Sequence, residues 1–243
     1  MRNGALILGA TGGVGSELCR ALINCGWQLV LSGRNEESLS ELSKELGAPY
    51  FVTDATDLSQ IEKLCEFSSR HLENFRGAAN CVGSIVLKPA HLLSELDFTS
   101  VLQQNLYSSF FLVKSIIPYF QKQGGSIVMF SSAAARIGIP NHEAIAAAKL
   151  GIEGLVRAAA ASYAARGIRL NTVCPGLVDT PLTKKITGHP KSLEFSLGMH
   201  PLGRVGTVKD IASAATWLLD PRNSWITGQS IVVDGGLSGI KIR

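Results

Sequence analysis

Several protein classes are excluded by what this sequence has little of. Aromatic residues make up 7% and charged residues 17% of the 243 positions, and no Lys/Arg run occurs. A basic nucleic-acid surface is therefore not expected. The five cysteines, Cys19, Cys25, Cys65, Cys81 and Cys174, form no CxxC pair, and their number is odd. That argues against a disulfide framework and for a reducing compartment. The histidines, His71, His91, His142, His189 and His200, share no HxxxH or similar spacing, so no metal site is expected. The first apolar run, Ala5 to Leu8, is too short for a signal-peptide core or a membrane span. Together these absences predict a soluble, cytoplasmic protein that binds neither membrane nor nucleic acid.

What remains is a globular composition, 46% hydrophobic. The net charge of +4 suits an anionic cofactor, and equally a solvated surface. No linker, repeat or low-complexity tract divides the chain, so residues 1–243 are expected to form one domain. Strand-like apolar runs are expected at Ala5–Leu8, Gln28–Ser32, Tyr50–Thr53, Gly77–Val82, Ser126–Phe130, Ile168–Val173 and Ser230–Val233. Amphipathic or Ala-rich stretches of helical length separate them. Repeated β-α units with right-handed crossovers predict an α/β fold: a doubly wound, seven-stranded parallel sheet of Rossmann type, with helices on both faces. The Gly/Pro-rich stretch 181–208 breaks the pattern. It reads as a substrate loop or lid, or else as a short helical pair on the surface.

Chemistry concentrates first at Gly9-Ala10-Thr11-Gly12-Gly13-Val14-Gly15, between the first strand and the first helix. A chain reversing there favours glycine. Free amides and the helix dipole at Gly12, Gly13 and Val14 would then face a pyrophosphate. The second strand ends Ser32-Gly33-Arg34-Asn35, with no acid to accept from a ribose. Arg34 offers a planar cation for a 2′-phosphate, which favours NADP(H) over NAD(H). Alternatively Arg34 only stacks on adenine. Asp54, followed by Ala55, either accepts from the adenine amino group or caps the next helix.

These residues resemble the short-chain dehydrogenase/reductase family, and the resemblance spans essentially the whole chain. Gly9, Gly13 and Gly15 match its TGxxxGxG turn, with Leu8 at the leading threonine. Asn80-Cys81-Val82-Gly83 is similar to its NNAG segment. Asn105 matches its structural and catalytic asparagine, and Ser131-Ser132 its serine region. Pro175-Gly176-Leu177-Val178-Asp179-Thr180 resembles its PGxVxT nicotinamide loop. Thr227-Gly228 and Asp234-Gly235-Gly236 resemble its C-terminal signature. The resemblance implies an oxidoreductase close to β-ketoacyl carrier-protein reductases and to sugar or alcohol dehydrogenases. It also implies a small-molecule substrate and a homotetramer or dimer. The Ala-rich stretch 144–165 could pack between subunits or within one.

One position departs from the family. Its YxxxK motif should start thirteen residues after Ser132, but the sequence reads Ile145-Ala146-Ala147-Ala148-Lys149. Lysine is in register and tyrosine is absent. A carbonyl oxygen receiving hydride needs a proton, and isoleucine supplies none. Lys149 can still donate to ribose hydroxyls, Ser132 to a carbonyl oxygen, and Asn105 can hold a water or act structurally. His142, three residues before Ile145, is a candidate substitute donor if it shares the helix face, or else a loop or capping histidine. Three outcomes are expected to compete. They are an NADP-dependent oxidoreductase with altered proton delivery, a cofactor-binding protein without turnover, and a lyase or epimerase on the same fold.

Overall fold

The computed structural model describes residues 1–241. Seven strands form one sheet of order β3-β2-β1-β4-β5-β6-β7, all parallel. They are β1 (Asn3–Leu8), β2 (Gln28–Gly33), β3 (Tyr50–Val52), β4 (Asn74–Asn80), β5 (Gly125–Phe130), β6 (Ile168–Pro175) and β7 (Ser230–Val233). Each expected strand is present. The connecting helices are α1 (Gly13–Asn24), α2 (Glu36–Leu46), α3 (Leu58–His71), α4 (Glu95–Leu102), α5 (Ser108–Phe120), α6 (Glu143–Tyr163), α7 (Lys184–Thr187), α8 (Pro190–Met199) and α9 (Val208–Leu219). Among the described residues, no helix is long and apolar enough to cross a membrane.

The central strands carry continuous apolar runs, such as Ala5–Leu8 and Ile127–Phe130, because both faces are covered. Along β1, Ala5 and Ile7 join the core under α1, α2 and α9, while Leu6 and Leu8 join the core under α3, α5 and α6. The same alternation runs along β5, with Val128 and Phe130 on the first side and Ile127 and Met129 on the second. Polar signals set the helix limits. Asn35 accepts from Ser38 N at 2.8 Å to open α2, and Gly47 closes it with φ +62°.

Several boundaries differ from expectation. β4 starts at Asn74 and stops at Asn80, because Asn80 Oδ1 accepts from Val82 N (3.1 Å) and turns the chain. β6 continues to Pro175. The stretch 181–208 is largely helical: Pro181 opens a short 3₁₀ turn at its N1 position, and Pro190 does the same for α8 behind the His189 cap.

Strand order reverses between β1 and β4, so the ends of these strands open a crevice at the carboxyl edge of the sheet. Gly9 sits there with φ +80°, and its N–H and that of Ala10 both donate to Ser32 O at 2.8 Å. A Cβ on Gly15 would lie 2.2 Å from Gly9 O, so α1 and the turn touch backbone to backbone. Gly15→Ala is expected to force the two apart and to lower unfolding stability by about 1–3 kcal/mol. Urea unfolding of the variant checks this, and an unchanged midpoint would refute the contact.

Candidate active site

A cavity of about 670 Å³ opens at the carboxyl edge of the sheet. It brings together Val14, Val82, Gly83, Asn105, Ser132, His142, Ile145, Lys149, Pro175, Gly176, Val178 and Thr180. Gly9, Thr11, Gly12, Gly13, Gly15, Arg34, Asp54, Ala55 and Asn80 do not line it. Gly9 forms the floor of the turn, and Thr11 Oγ1 lies 3.4 Å from where a Cβ on Gly33 would stand. Arg34 is exposed just past β2 and has no ion-pair partner among the described residues.

The turn fits a dinucleotide diphosphate. Gly12 precedes α1 without any side-chain cap, and a Cβ added to it would approach only Gly9 O, at 3.4 Å. The first amides of α1 thus meet open space at the positive end of the helix. Thr180 closes the far side, its side chain 3.0–3.1 Å from where a Cβ on Gly13 would stand.

One alternative left open by the sequence is decided at this level. Asp54 does not cap the next helix. Its Oδ1 accepts from Thr56 N and Thr56 Oγ1, and Asp57 caps α3 through Ser59 N and Gln60 N. Asn80 is buried with its amide fully occupied, donating to Ser108 Oγ (3.0 Å) and Ser109 Oγ (3.1 Å) while accepting from Val82. Its side chain therefore shapes the Val82–Gly83 backbone from behind.

Lys149 is 8% exposed and donates to Phe130 O at 2.9 Å. Burial pulls its pKa down to about 8. Its Nζ stands 3.7 Å, and Asn105 Oδ1 3.1 Å, from where a Cβ on Gly83 would be. Asn105 lies in one π-helical turn, Gln103–Tyr107, between α4 and α5. Its Nδ2 donates to Val101 O (2.9 Å) and to Ser84 O and Oγ (3.2 Å each). Its Oδ1 is buried and has no partner among the described residues. A buried acceptor beside an ammonium is a place for a donor that enters with a ligand or a water.

Ser132 Oγ accepts from Ala134 N at 3.2 Å, which leaves its own proton free for the cavity. Ile145 is buried against Val101, Ala144 and Ala148. α6 begins at Glu143, so His142 occupies the N-cap and not the helix face. Its Nδ1 lies 2.8 Å from Pro140 O. A carbonyl only accepts, so Nδ1 carries the proton and Nε2 is the free ring nitrogen.

Two groups escaped the sequence reading. Glu153, 2% exposed, sits one turn after Lys149. Burial pushes its carboxyl pKa up, but bonds from Arg136 and Ser131 outweigh this and hold it below the ordinary value. Arg136 Nη2 is at 2.8 Å, Ser131 Oγ at 2.8 Å and Ser230 Oγ at 3.1 Å, tying α6 to β5 and β7. His200 is also buried. Its Nε2 accepts from Leu177 N (3.2 Å) and its Nδ1 donates to Ser196 O (2.6 Å), which joins α8 to the Gly176–Leu177 backbone. Apart from Arg157, one turn on and 3.8 Å from Glu153 Oε2, the partners of Glu153 are distant in sequence and those of His200 are backbone, so neither residue stands in a recognisable motif. The thiols offer no nucleophile near the cavity. Burial raises Cys81 to about 12 and Cys174 to about 11.

A family model described as enoyl-(acyl carrier protein) reductase matches residues 9–238. The 3-oxoacyl-(acyl-carrier-protein) reductase of Thermotoga maritima is 33% identical over 240 residues, covering 96% of each chain. The inactive 2-(S)-hydroxypropyl-CoM dehydrogenase 2 of Xanthobacter autotrophicus is 31% identical over 230 residues, 92% of this chain and 100% of its own. Among solved structures, actinorhodin polyketide ketoreductase with NADPH has TM-score 0.93 at 25% identity, covering 98% of each chain. A short-chain type dehydrogenase/reductase from Mycobacterium ulcerans also reaches 0.93, at 26% identity over 98% of this chain and 90% of its own.

The Lys149 environment predicts a pH signature. Between about pH 8 and 10.5 the unfolded chain holds the lysine proton and the folded chain does not. Stability conferred through this group must therefore rise with pH across that window. Relative to Lys149→Met, the cofactor-free protein is expected to gain about 3 kcal/mol there. Comparison with the variant cancels the opposing ionisation of buried thiols. Parallel pH–stability curves for the two proteins would contradict the burial of a lysine with this pKa.

Proposed function

Because this chain belongs to the short-chain dehydrogenase/reductase family, we propose that it is an NADP(H)-dependent oxidoreductase interconverting a carbonyl and an alcohol. The observation that supports this is one cavity lined by Ser132, Lys149 and His142 together with Val14 of the glycine turn and Thr180, which abuts Gly13. The nicotinamide, when bound, supplies or takes up the hydride. Lys149 and the unpartnered Asn105 Oδ1 meet the hydroxyl-rich ribose or an ordered water. Ser132 donates to the substrate oxygen. His142, with Nδ1 fixed on Pro140 O, delivers or removes the proton through Nε2, in place of the absent phenol.

The remaining wall is apolar, with Ile139, Leu177, Leu182, Ile186, Phe195 and Met199, so the substrate carries a hydrophobic portion. Several of these residues come from residues 181–208, which makes that helical pair the substrate lid. All five thiols are free, which suits the reducing cytoplasm. The chain assembles as a homo-oligomer, a dimer or tetramer. One face of α6 packs inward, while Leu150 joins Tyr107 and Phe110 of the neighbouring helical segment as exposed apolar surface.

A second reading is favoured by the packing of Ile145 and by the 31% identical relative whose name calls it inactive. In that reading the protein binds NADP(H) without turnover, as a sensor, regulator or inactive subunit.

Purified protein supplied with NADPH and a panel of ketones, β-ketoacyl thioesters and quinones separates the two. His142→Phe is expected to lower kcat by about 10²-fold or more. Binding without turnover, together with activity created by Ile145→Tyr, would establish the second reading and overturn the first. Calorimetric titration should show NADPH binding about 10–100-fold more tightly than NADH, a preference that Arg34→Ala removes. Equal affinities for the two nucleotides would reject the role of Arg34. Phe110→Asp with Leu150→Asp is expected to shift the mass measured by light scattering to that of a monomer, and an unchanged mass would place the interface elsewhere.

A further inference from the structure

A second cleft, of about 380 Å³, lies at the opposite end of the sheet, where β4, β5 and β6 begin. Two guanidinium groups line it, Arg76 and Arg169, and no carboxylate among the described residues does. Arg76 is the extra residue of a bulge: β1 pairs Gly4 with Phe75 and then Ala5 with Gly77. Phe75 faces the core under α3 and α5, whereas a Cβ on Gly77 would meet Trp27 on the other face. The break in alternation directs Arg76 to the cleft. Among the described residues it has no ion-pair partner.

Arg169 is 8% exposed. It donates to Ile226 O (3.1 Å), Leu218 O (3.0 Å) and Asp220 O (3.2 Å), closing the end of α9. These carbonyls satisfy hydrogen bonds but supply no full negative charge. The Asp220 carboxylate is taken by Arg222. Burial, and then repulsion from Arg76, pull the Arg169 guanidinium below its ordinary pKa, outweighing the attraction of the Asp220 carboxylate. Between the two arginines, β5 presents only Gly125 and Ser126, with Ser126 directly opposite Arg169. No long side chain fills the gap of about 10 Å between β4 and β6. Trp225 stands at the rim, 99% exposed.

We propose that this cleft binds a small phosphate-bearing molecule, its oxygens held between Arg76 and Arg169 and its organic part lying on Trp225. The free fork of Arg76 matches phosphate oxygens pairwise, while Arg169, its Nη2 committed to Leu218 O and Asp220 O, contributes its charge and a remaining N–H, and a dianion removes the like-charge repulsion that the two arginines impose on each other. The bulge sets the position of Arg76, and the open indole face offers a sequence-remote apolar platform. The site is remote from the nucleotide turn and does not depend on the function proposed above.

Thermal unfolding tests the assignment with inorganic phosphate and phenyl phosphate, against chloride at matched ionic strength. Phosphate at about tenfold its dissociation constant should raise the wild-type midpoint by about 4 °C beyond chloride. The Arg76→Gln variant should lose most of that rise, while in phosphate-free buffer it unfolds no earlier than the wild type. Phenyl phosphate should exceed inorganic phosphate, and Trp225→Ala should erase the difference. Should Arg76→Gln fail to fold, Arg76→Lys keeps the charge without the fork and is expected to respond weakly. Equal phosphate stabilisation in wild type and in the Arg76 variants, or no stabilisation of the wild type, overturns the proposal.

Discussion

Gly9 is the point at which four pieces of chain meet without an intervening side chain. Its N–H reaches β2 at Ser32 O, its Cα faces the end of β4 at Val82, and its carbonyl abuts Gly15 of α1. A Cβ here would lie 2.8 Å from Val82 N. The positive φ and this crowding both demand glycine. The crevice between β1 and β4 therefore has bare backbone for its floor. The open amides of α1, the Val82–Gly83 segment and Thr180 all take their positions from that contact.

Around this floor the protein holds ions in different ways. Lys149 is buried with a carbonyl for a partner and no carboxylate of the described residues within hydrogen-bonding reach, so its charged form is less favoured than it would be in water. Glu153, one turn further along α6, is surrounded by Arg136 and hydroxyl donors and stays ionised. The paired carboxylate fixes the helix. The unpaired ammonium stays available to a ligand. Placing both on one face of α6, four residues apart, makes the rigid anchor the support of the labile group.

The sequence made the sheet legible because a parallel strand covered on both faces is an uninterrupted apolar run, as at Leu6–Leu8 or Ile127–Phe130. It concealed the start of β4, where Asn74 and Arg76 interrupt the apolar pattern and a bulge breaks the period. It left 181–208 open between a loop or lid and a short helical pair, because its glycines suit a loop while proline at the first helical position suits a helix. The glycine turn, Arg34 and the Ser132–Lys149 spacing were visible as local patterns. Glu153 and His200 were not, since, Arg157 apart, the partners of Glu153 are distant in sequence and those of His200 are backbone groups. Asp54 and Asp57 show the same limit at short range. Both are capping candidates three residues apart, and only the backbone decides between them.

Ile145 is best understood through what surrounds it. The side chain closes a small apolar cluster with Val101, Ala144 and Ala148, packing α4 against α6. Full burial of such a side chain stabilises by about 1.5–3 kcal/mol. A phenol at this position would keep its hydroxyl hydrogen-bonded only if the cavity remained wet or held a ligand. Isoleucine thus favours the packed, ligand-free wall, and removes from it the group whose proton is easiest to tune with Lys149. The proposed acid–base role of a side chain just outside the helix is compatible with this packing. The imidazole of His142 is that side chain: it sits at the N-cap of α6, lines the same cavity, and has one nitrogen fixed by Pro140 O and the other unengaged.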